Sequence, residues 1–444
     1  MTDARTYATT TGSTHPCGAA LADILAAATR AADPATQVTR VLRRAGAHVW
    51  IDGVVSTPRR VVLLAVGKAA PAMAAAAAHA LGDLVGAGLV VYKDPDPRVP
   101  PVDGLVYHQA GHPVPDARSC TAGAAALALV AAAKPDELVL VLLSGGGSAL
   151  LVDLAPDISL AMLQQLTTLL LASGADITAI NTVRRRIDRV KGGGLAHAAR
   201  HTQLRTLILS DVIGNDVAAI ASGPTVANPD HPDAALGVLA RTGIIDRVDP
   251  AIVAACRQPL PVGTVSTPPL IIADIGQALT AAATAARRAG YEPTIVARDL
   301  HGDAASAGRH IAEQLAAVPP SPYPRCLLGG GETTVTLPAD HGRGGRNQTL
   351  ALAIAAAFPI NEPWLVAAYA TDGGDGPTDA AGAVVDATTV DRAAALGYRA
   401  AAHLERCDAY PFFAALGDLL RPGPTGTNVN DLVIALCPSS SRLR

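Results

Sequence analysis

Ten short runs of leucine and β-branched residues punctuate this chain: VVLLAV (61–66), GLVVY (88–92), LVLVLL (138–143), TLILS (206–210), LIIA (270–273), TIVA (294–297), CLLG (326–329), VTLP (335–338), WLVAAYA (364–370) and DLVIALC (431–437). Helix-length, mostly alanine-rich stretches lie between several of them, at 17–48, 69–82, 119–134, 276–289, 303–317 and 346–357. A strand that is apolar on both faces needs cover on both. The alternation therefore predicts an α/β chain with mainly parallel sheets covered by helices. In such sheets ligands gather beyond the carboxyl ends of the strands, where the connecting loops converge. The proline- and turn-rich segment IDRVDPAIVAACRQPLPVGTVSTPP (245–269) divides the chain, so two domains are expected, over 15–250 and 265–440.

At 444 residues the chain is long enough for more than one core. Half of it is apolar, chiefly Ala, Val and Leu, with only 3% aromatics, which suits small-residue helices lying close on aliphatic strands. A formal charge of −3 carries no polyelectrolyte signature, so nucleic acid is not an expected partner. Cys17, Cys120, Cys256, Cys326, Cys407 and Cys437 are scattered without a CxxC pair, against a zinc site or a disulfide framework. The first residues, MTDARTYATTTGSTHP, lack the apolar core of a secretory signal. The alanine-rich stretch 69–92 is interrupted by Pro71, His79, Asp83 and three glycines, so it reads as a packed helix and a strand, not a membrane span. A cytoplasmic enzyme without a membrane partner is expected; a homo-oligomer stays open.

The turns after the strands carry the chemistry. SGGGS, formed by Ser144, Gly145, Gly146, Gly147 and Ser148, follows LVLVLL. Its glycines would let backbone N–H groups approach an anion, and a following helix would add its positive end. GKAAPAM (67–73) places Lys68 directly after a strand, although it is no Walker A loop: the distal glycine is missing and Ala69 replaces Ser or Thr. No GxGxxG follows a strand either. In NTVRRRIDRVKGGGLA (181–196), Arg184 and Arg185 read as a solvated face, and Lys191 against its triple glycine reads as an anion contact. SDVIGNDVAAIASGPT (210–225) sets Ser210 and Asp211 at a strand end, where a carboxylate binds Mg²⁺, takes a proton, or simply shapes a turn.

The later half repeats the theme. LGGGETTVTL (328–337) leads through Glu332 into a strand. GRGGRNQ (342–348) offers Arg343, Arg346 and Asn347 before a helix, a setting that suits planar guanidinium recognition of phosphate. TDGGDGPTD (371–379) crowds Asp372, Asp375 and Asp379 into a loop that lacks EF-hand spacing, so a magnesium-proximal or hydroxyl-binding role is expected over calcium. GPTGTNVNDL (423–432) is another turn opening onto a strand. Together these turns describe a polyanion cleft between two α/β domains.

The same segments resemble the glycerate 2-kinase family, whose C-terminal half is the MOFRL domain and whose N-terminal half is a Rossmann-like domain of the DUF4147 type. GKAAPAM, GHPVPD (111–116), LLSGGGSALL, SDVIGND…ASGPT, GGGETTVTL, GRGGRNQ, ATDGGDGPTDAAGAVVD and GPTGTNVNDL stand in the family's order over roughly 61–436. The resemblance implies an ATP- and Mg²⁺-dependent kinase acting on the 2-hydroxyl of D-glycerate, with its site between the domains. Some members have carried the name hydroxypyruvate reductase. It implies catalytic roles for Lys68 and Arg343 and places Ser144–Ser148, Asp211, Glu332 and the 371–379 loop around the cleft. The chain departs from the family pattern at Arg186, Ile187 and Asp188, at Asn215, and at Asp274 and Ile275.

For phosphoryl transfer, alignment and charge neutralisation carry most of the catalysis. The expectation is that SGGGS and GRGGRN hold triphosphate oxygens while Lys68 and Arg343 face the transferring group. Asp211 would orient the acceptor hydroxyl or hold the metal, with Asp372 and Asp375 as alternatives, and Lys191 or Arg186 would clamp the acceptor carboxylate. A kinase for a related hydroxy or sugar acid, an NAD(P)H-dependent hydroxypyruvate reductase and a non-catalytic anion sensor are the competing readings.

Overall fold

Chain order and strand order disagree in an informative way in the first half of the molecule. The structure is a computed structural model describing residues 4–258, 267–319, 321–357 and 363–439. A small antiparallel sheet comes first, of β1 (Leu42–Ala45), β2 (His48–Ile51) and β3 (Val54–Ser56). β4 (Val61–Val66), β5 (Val85–Tyr92), β6 (Leu105–Gln109), β7 (Leu138–Leu143), β8 (Gln203–Leu209) and β9 (Leu270–Ala273) then form one sheet in the order β6-β5-β4-β7-β8-β9. From β6 to β8 every pairing is parallel. The chain runs outward from β4 in one direction and then outward from β7 in the other. Their exit loops diverge between β4 and β7, the switch point at which doubly wound sheets bind ligands.

β4 and β7 are buried along their whole length, six residues each, which is why their sequences show no alternation. Helices Ala70–Leu81 and Ala117–Ala131 supply small-residue cover. The stretch 17–48, read as helix-length, instead holds helices Gly18–Ala31 and Pro34–Val41 and then β1.

The second sheet has the order β10-β11-β15-β12-β13-β14, built from β10 (Glu292–Leu300), β11 (Arg325–Gly331), β12 (Leu365–Ala370), β13 (Gly382–Val385), β14 (Leu419–Leu420) and β15 (Asp431–Cys437). Only β10 and β11 pair in parallel; the other pairings are antiparallel. This corrects the expectation of mainly parallel sheets in both domains. β12 and β15 are buried on both faces, so their continuous apolar sequences could not reveal direction. VTLP (335–338) is not a strand: Thr334 makes one isolated bridge to Asp303, and Leu337 is exposed. Helices Ala304–Ala316 and Arg346–Ala357 approach so closely that a Cβ on Gly308 would sit 2.6 Å from the Leu350 carbonyl oxygen.

Two compact units result: Pro34–Ile272, and Met1–Asp33 together with Ala273–Arg444. Residues 15–33, counted with the first domain on sequence, thus group with the second unit. Helix Gly18–Ala31 packs there against helix Ile275–Arg288, and Tyr7 Oη donates to Thr29 Oγ1 at 3.0 Å. Residues 259–266 of the proposed boundary lie outside the described residues.

Candidate active site

At the switch point the turns after β4 and β7 are stapled together. Lys68 N donates to Gly145 O at 2.9 Å, Ala69 N to Ser144 Oγ at 3.0 Å, and Ser144 N to Val66 O at 2.9 Å. Gly67 has φ +127°, and a Cβ there would lie 2.2 Å from Ser144 Oγ, so only glycine fits. Ser144 is fully buried; its hydroxyl holds the turn and does not face a ligand. Ser148 Oγ lies 2.7 Å from Ser222 Oγ, which donates to Asn181 Oδ1 at 3.1 Å. The helix expected after SGGGS is one turn, Gly147–Leu150, so close backbone approach replaces the expected helix-end field. The neighbouring ASGPT loop is strained: Ala221 and Ser222 hold φ of +50° and +62°. Such conformations cost of order 1–3 kcal/mol each and concentrate at functional sites.

Around this turn stand residues that leave the carboxyl ends of successive strands. Half-buried Lys68 follows β4 and half-buried Asp211 follows β8. Two more escaped the sequence reading: Lys93 after β5 and His112 after β6. A Cβ on Gly146 would lie 2.9 Å from His112 Cδ2, and the buried Nδ1 of His112 has no hydrogen-bond partner. Burial, then the charges of Lys68 and Lys93, push His112 down to about 4, so its imidazole is neutral at neutral pH. The GHPVPD motif is visible in sequence, but β6 before it, reading LVYHQ, carries no continuous apolar run to mark a strand end there.

The basic stretch 181–196 behaves differently from expectation. Helix Ile177–Ile187 buries Arg185, which pairs with Asp230 at 2.7 Å and donates to Ala218 O at 3.2 Å. Burial lowers the pKa of Arg184. Arg186 is buried and donates to the carbonyls of Cys256, at 2.9 Å, and Gln258. Lys191, expected as an anion contact, is buried too, with Nζ 2.5 Å from Asp188 and 3.0 Å from Leu151 O. Burial lowers its pKa and Asp188 opposes that. A carboxylate three residues away has taken the place of an external anion.

In the second unit Arg346 is also satisfied internally. Its Nε and Nη2 donate to Asp431 at 2.6 and 3.0 Å, and Nη1 lies 2.7 Å from Glu332. Asn430 Nδ2 donates to Glu332 at 3.1 Å. Glu332 and Arg346, both expected at phosphate, therefore hold each other, and Asp431, unassigned on sequence, anchors them. Asp375, expected to be substrate-binding or metal-proximal, is buried and accepts the backbone N–H groups of Asn347 at 3.0 Å and Gln348 at 2.8 Å, at the N-terminus of helix Arg346–Ala357. Asn347 is buried in the same contact. Asp379 accepts from Tyr410 Oη at 2.6 Å and pairs with Arg421. Asp372 accepts from Gly374 N at 3.0 Å, closing the turn. Arg343 is exposed, with its guanidinium 4.1 Å from the Tyr410 ring centroid and its backbone N–H on Asp408. Asp274, one of the departures from the family pattern, accepts from Gln277 N at the start of helix Ile275–Arg288.

Burial pushes Asp375 up to about 7 from an ordinary 3.8, against its two backbone donors. A raised carboxyl contributes stability that is fully present below its unfolded value and lost as pH rises through its folded value. Relative to the parent, Asp375→Asn should gain stability as the pH rises from about 4.5 to about 8. Denaturant midpoints at both pH values check this; an unchanged difference would mean the carboxyl titrates normally.

Among the described residues no group of three or more His, Cys, Asp or Glu is placed to hold a metal, and no helix is long and apolar enough to cross a membrane. Residues 20–257 match the family model described as a domain of unknown function, DUF4147, and residues 325–431 match the MOFRL family. The chain is 39% identical over 381 residues to the D-glycerate 2-kinase of Thermotoga maritima, covering 85% of this chain and 90% of that protein. It is 35% identical over 432 residues to the glycerate 2-kinase of Pyrococcus horikoshii, covering 93% and 95%. The crystal structure of glycerate kinase from Thermotoga maritima superposes with a TM-score of 0.82 at 35% identity, covering 93% of this chain and 97% of that one.

Proposed function

The chain belongs to the glycerate kinase family, an enzyme family built of DUF4147 and MOFRL parts, and from that premise we propose that it transfers the γ-phosphoryl group of ATP to the 2-hydroxyl of D-glycerate. The observation that carries this reading is the pair of glycine turns joined at the switch point of the parallel sheet, with Lys68 rising from one of them. Backbone approach at Gly145–Gly147 suits triphosphate oxygens, which need donors without side-chain bulk. Lys68 places a cation there, and exposed Arg343 provides the planar fork for the transferring group's charge.

In the step itself, the 2-hydroxyl oxygen of glycerate forms a bond to the γ-phosphorus and the bond from that phosphorus to the β–γ bridging oxygen breaks. ADP leaves with the released electron pair, and the hydroxyl proton passes to a carboxylate, giving 2-phosphoglycerate. Asp211 is the carboxylate assigned, with Asp372 as the alternative; Asp375 drops out because its oxygens cap a helix. Neutral His112 contributes a hydrogen bond without adding charge. Magnesium brought with ATP would supply charge neutralisation at the phosphates, and Asp211 or Asp372 would be the carboxylate to hold it.

The direct test is ADP release with MgATP across D-glycerate, L-glycerate and related hydroxy and sugar acids, with the phosphorylated carbon identified. D-glycerate giving 2-phosphoglycerate is expected. Turnover only with another acid would overturn the acceptor, and turnover with none would overturn the kinase reading. NADH oxidation by hydroxypyruvate serves as the control; no GxGxxG follows β4, where VGKAAPA stands instead.

A further inference from the structure

A cavity of about 580 Å³ opens in the first unit; Lys191, Gly192 and Gly194 of the KGGG turn line it, while no residue of the GKAAPAM, SGGGS or 210–225 segments does. Its walls are apolar, with Leu127, Ala155, Ala198 and Ala255 among them. Three buried ionisable groups, Arg186, Asp188 and Lys191, line its floor, with half-buried His197 beside them.

The charges on that floor do not balance. Lys191 is neutralised by Asp188 at 2.5 Å, and Arg189 on the rim pairs with Asp153 at 2.7 Å. Asp157 on the rim is exposed to water. Arg186 has no carboxylate within ion-pair distance among the described residues. Its Nη2 meets two carbonyls, and its Nε is buried with no hydrogen-bond partner. A side chain only 7% exposed that carries a full charge without a counter-ion is costly unless an anion completes it. The volume lies in the range of small-molecule sites, in which apolar walls bury the body and a few polar groups fix the head.

The geometry points to a second small-molecule site in this unit, taking a monocarboxylate with an apolar body whose carboxylate meets Arg186. It is independent of the kinase step, and its test does not require turnover.

The full chain is titrated calorimetrically with 4-phenylbutyrate, and with uncharged 4-phenylbutanol of the same shape, in the presence and absence of saturating D-glycerate and a non-hydrolysable ATP analogue. One site per chain is expected, unaffected by those ligands, with the alcohol binding ~10–100-fold more weakly, the worth of one charge-assisted hydrogen bond. Arg186→Met should weaken the acid by a similar ~10–100-fold. Ala254→Trp, at an exposed rim position where folding is not at stake, should block entry and weaken it at least ~10-fold. No binding of the acid, equal binding of acid and alcohol, displacement by D-glycerate, or unchanged affinity in Ala254→Trp would each overturn the proposal.

Discussion

Lys68→Ala should lower kcat for D-glycerate phosphorylation by ~10²–10³-fold, the usual effect of removing one well-placed donor at a developing charge. The backbone N–H of Lys68 donates to Gly145 O in the SGGGS turn, and alanine keeps that bond. Melting temperature should stay near the parent value while turnover falls. The KM for ATP should change far less than kcat, because the interaction counts most where charge develops. Single-turnover rates and a melting curve on the same preparation separate these effects. Near-normal kcat would remove Lys68 from the mechanism and shift attention to Lys93 and His112.

Stability should respond most to Arg346→Met. Losing one member of a buried ion pair typically costs ~3–5 kcal/mol, because the partner is left charged without compensation. The Asp431 side chain is 8% exposed and that of Arg346 31%, so the lower end, ~3 kcal/mol, is expected. For a unit of this size that is a melting shift of roughly 6–12 °C. Burial pushes Asp431 up to about 6 even with the guanidinium beside it. Without Arg346 the carboxyl escapes most of the penalty by protonating, so the loss should be smaller at about pH 5 than at about pH 8. Adding Asp431→Leu should recover much of the stability. A loss that is equal at both pH values and not recovered would mean the pair does not hold the turn.

The strands buried on both faces were legible because nothing but a covered sheet explains LVLVLL or WLVAAYA, and the glycine turns followed from them. Direction was not legible in β12 and β15, since a fully buried strand looks the same in either sense. Short half-polar strands such as β2 and β6 carry too few residues for a pattern. The turn at Lys68 and Ser144 could be placed because its meaning is local: a glycine, a cation and a strand end within a few residues. Arg185 was misread as solvated, and the partners of Arg186 and Asp375 stayed hidden, for the opposite reason. Their partners, Asp230, the Cys256 carbonyl and the N–H groups of Asn347 and Gln348, lie 45, 70 and 27–28 residues away. A run of arginines looks solvated until those partners are known.

The grouping of Met1–Asp33 with Ala273–Arg444 makes Pro34–Ile272 an insertion in sequence, and this orders the birth of the molecule on the ribosome. The inserted unit is complete once residue 272 has emerged and can fold while synthesis continues, as domains generally do. Helix Gly18–Ala31 is made before that unit yet finds the helix it packs against, Ile275–Arg288, only some 250 residues later. Until then its apolar side, carrying Leu21, Ile24 and Leu25, lacks that helix as cover, and the nascent chain must keep this surface from finding another partner.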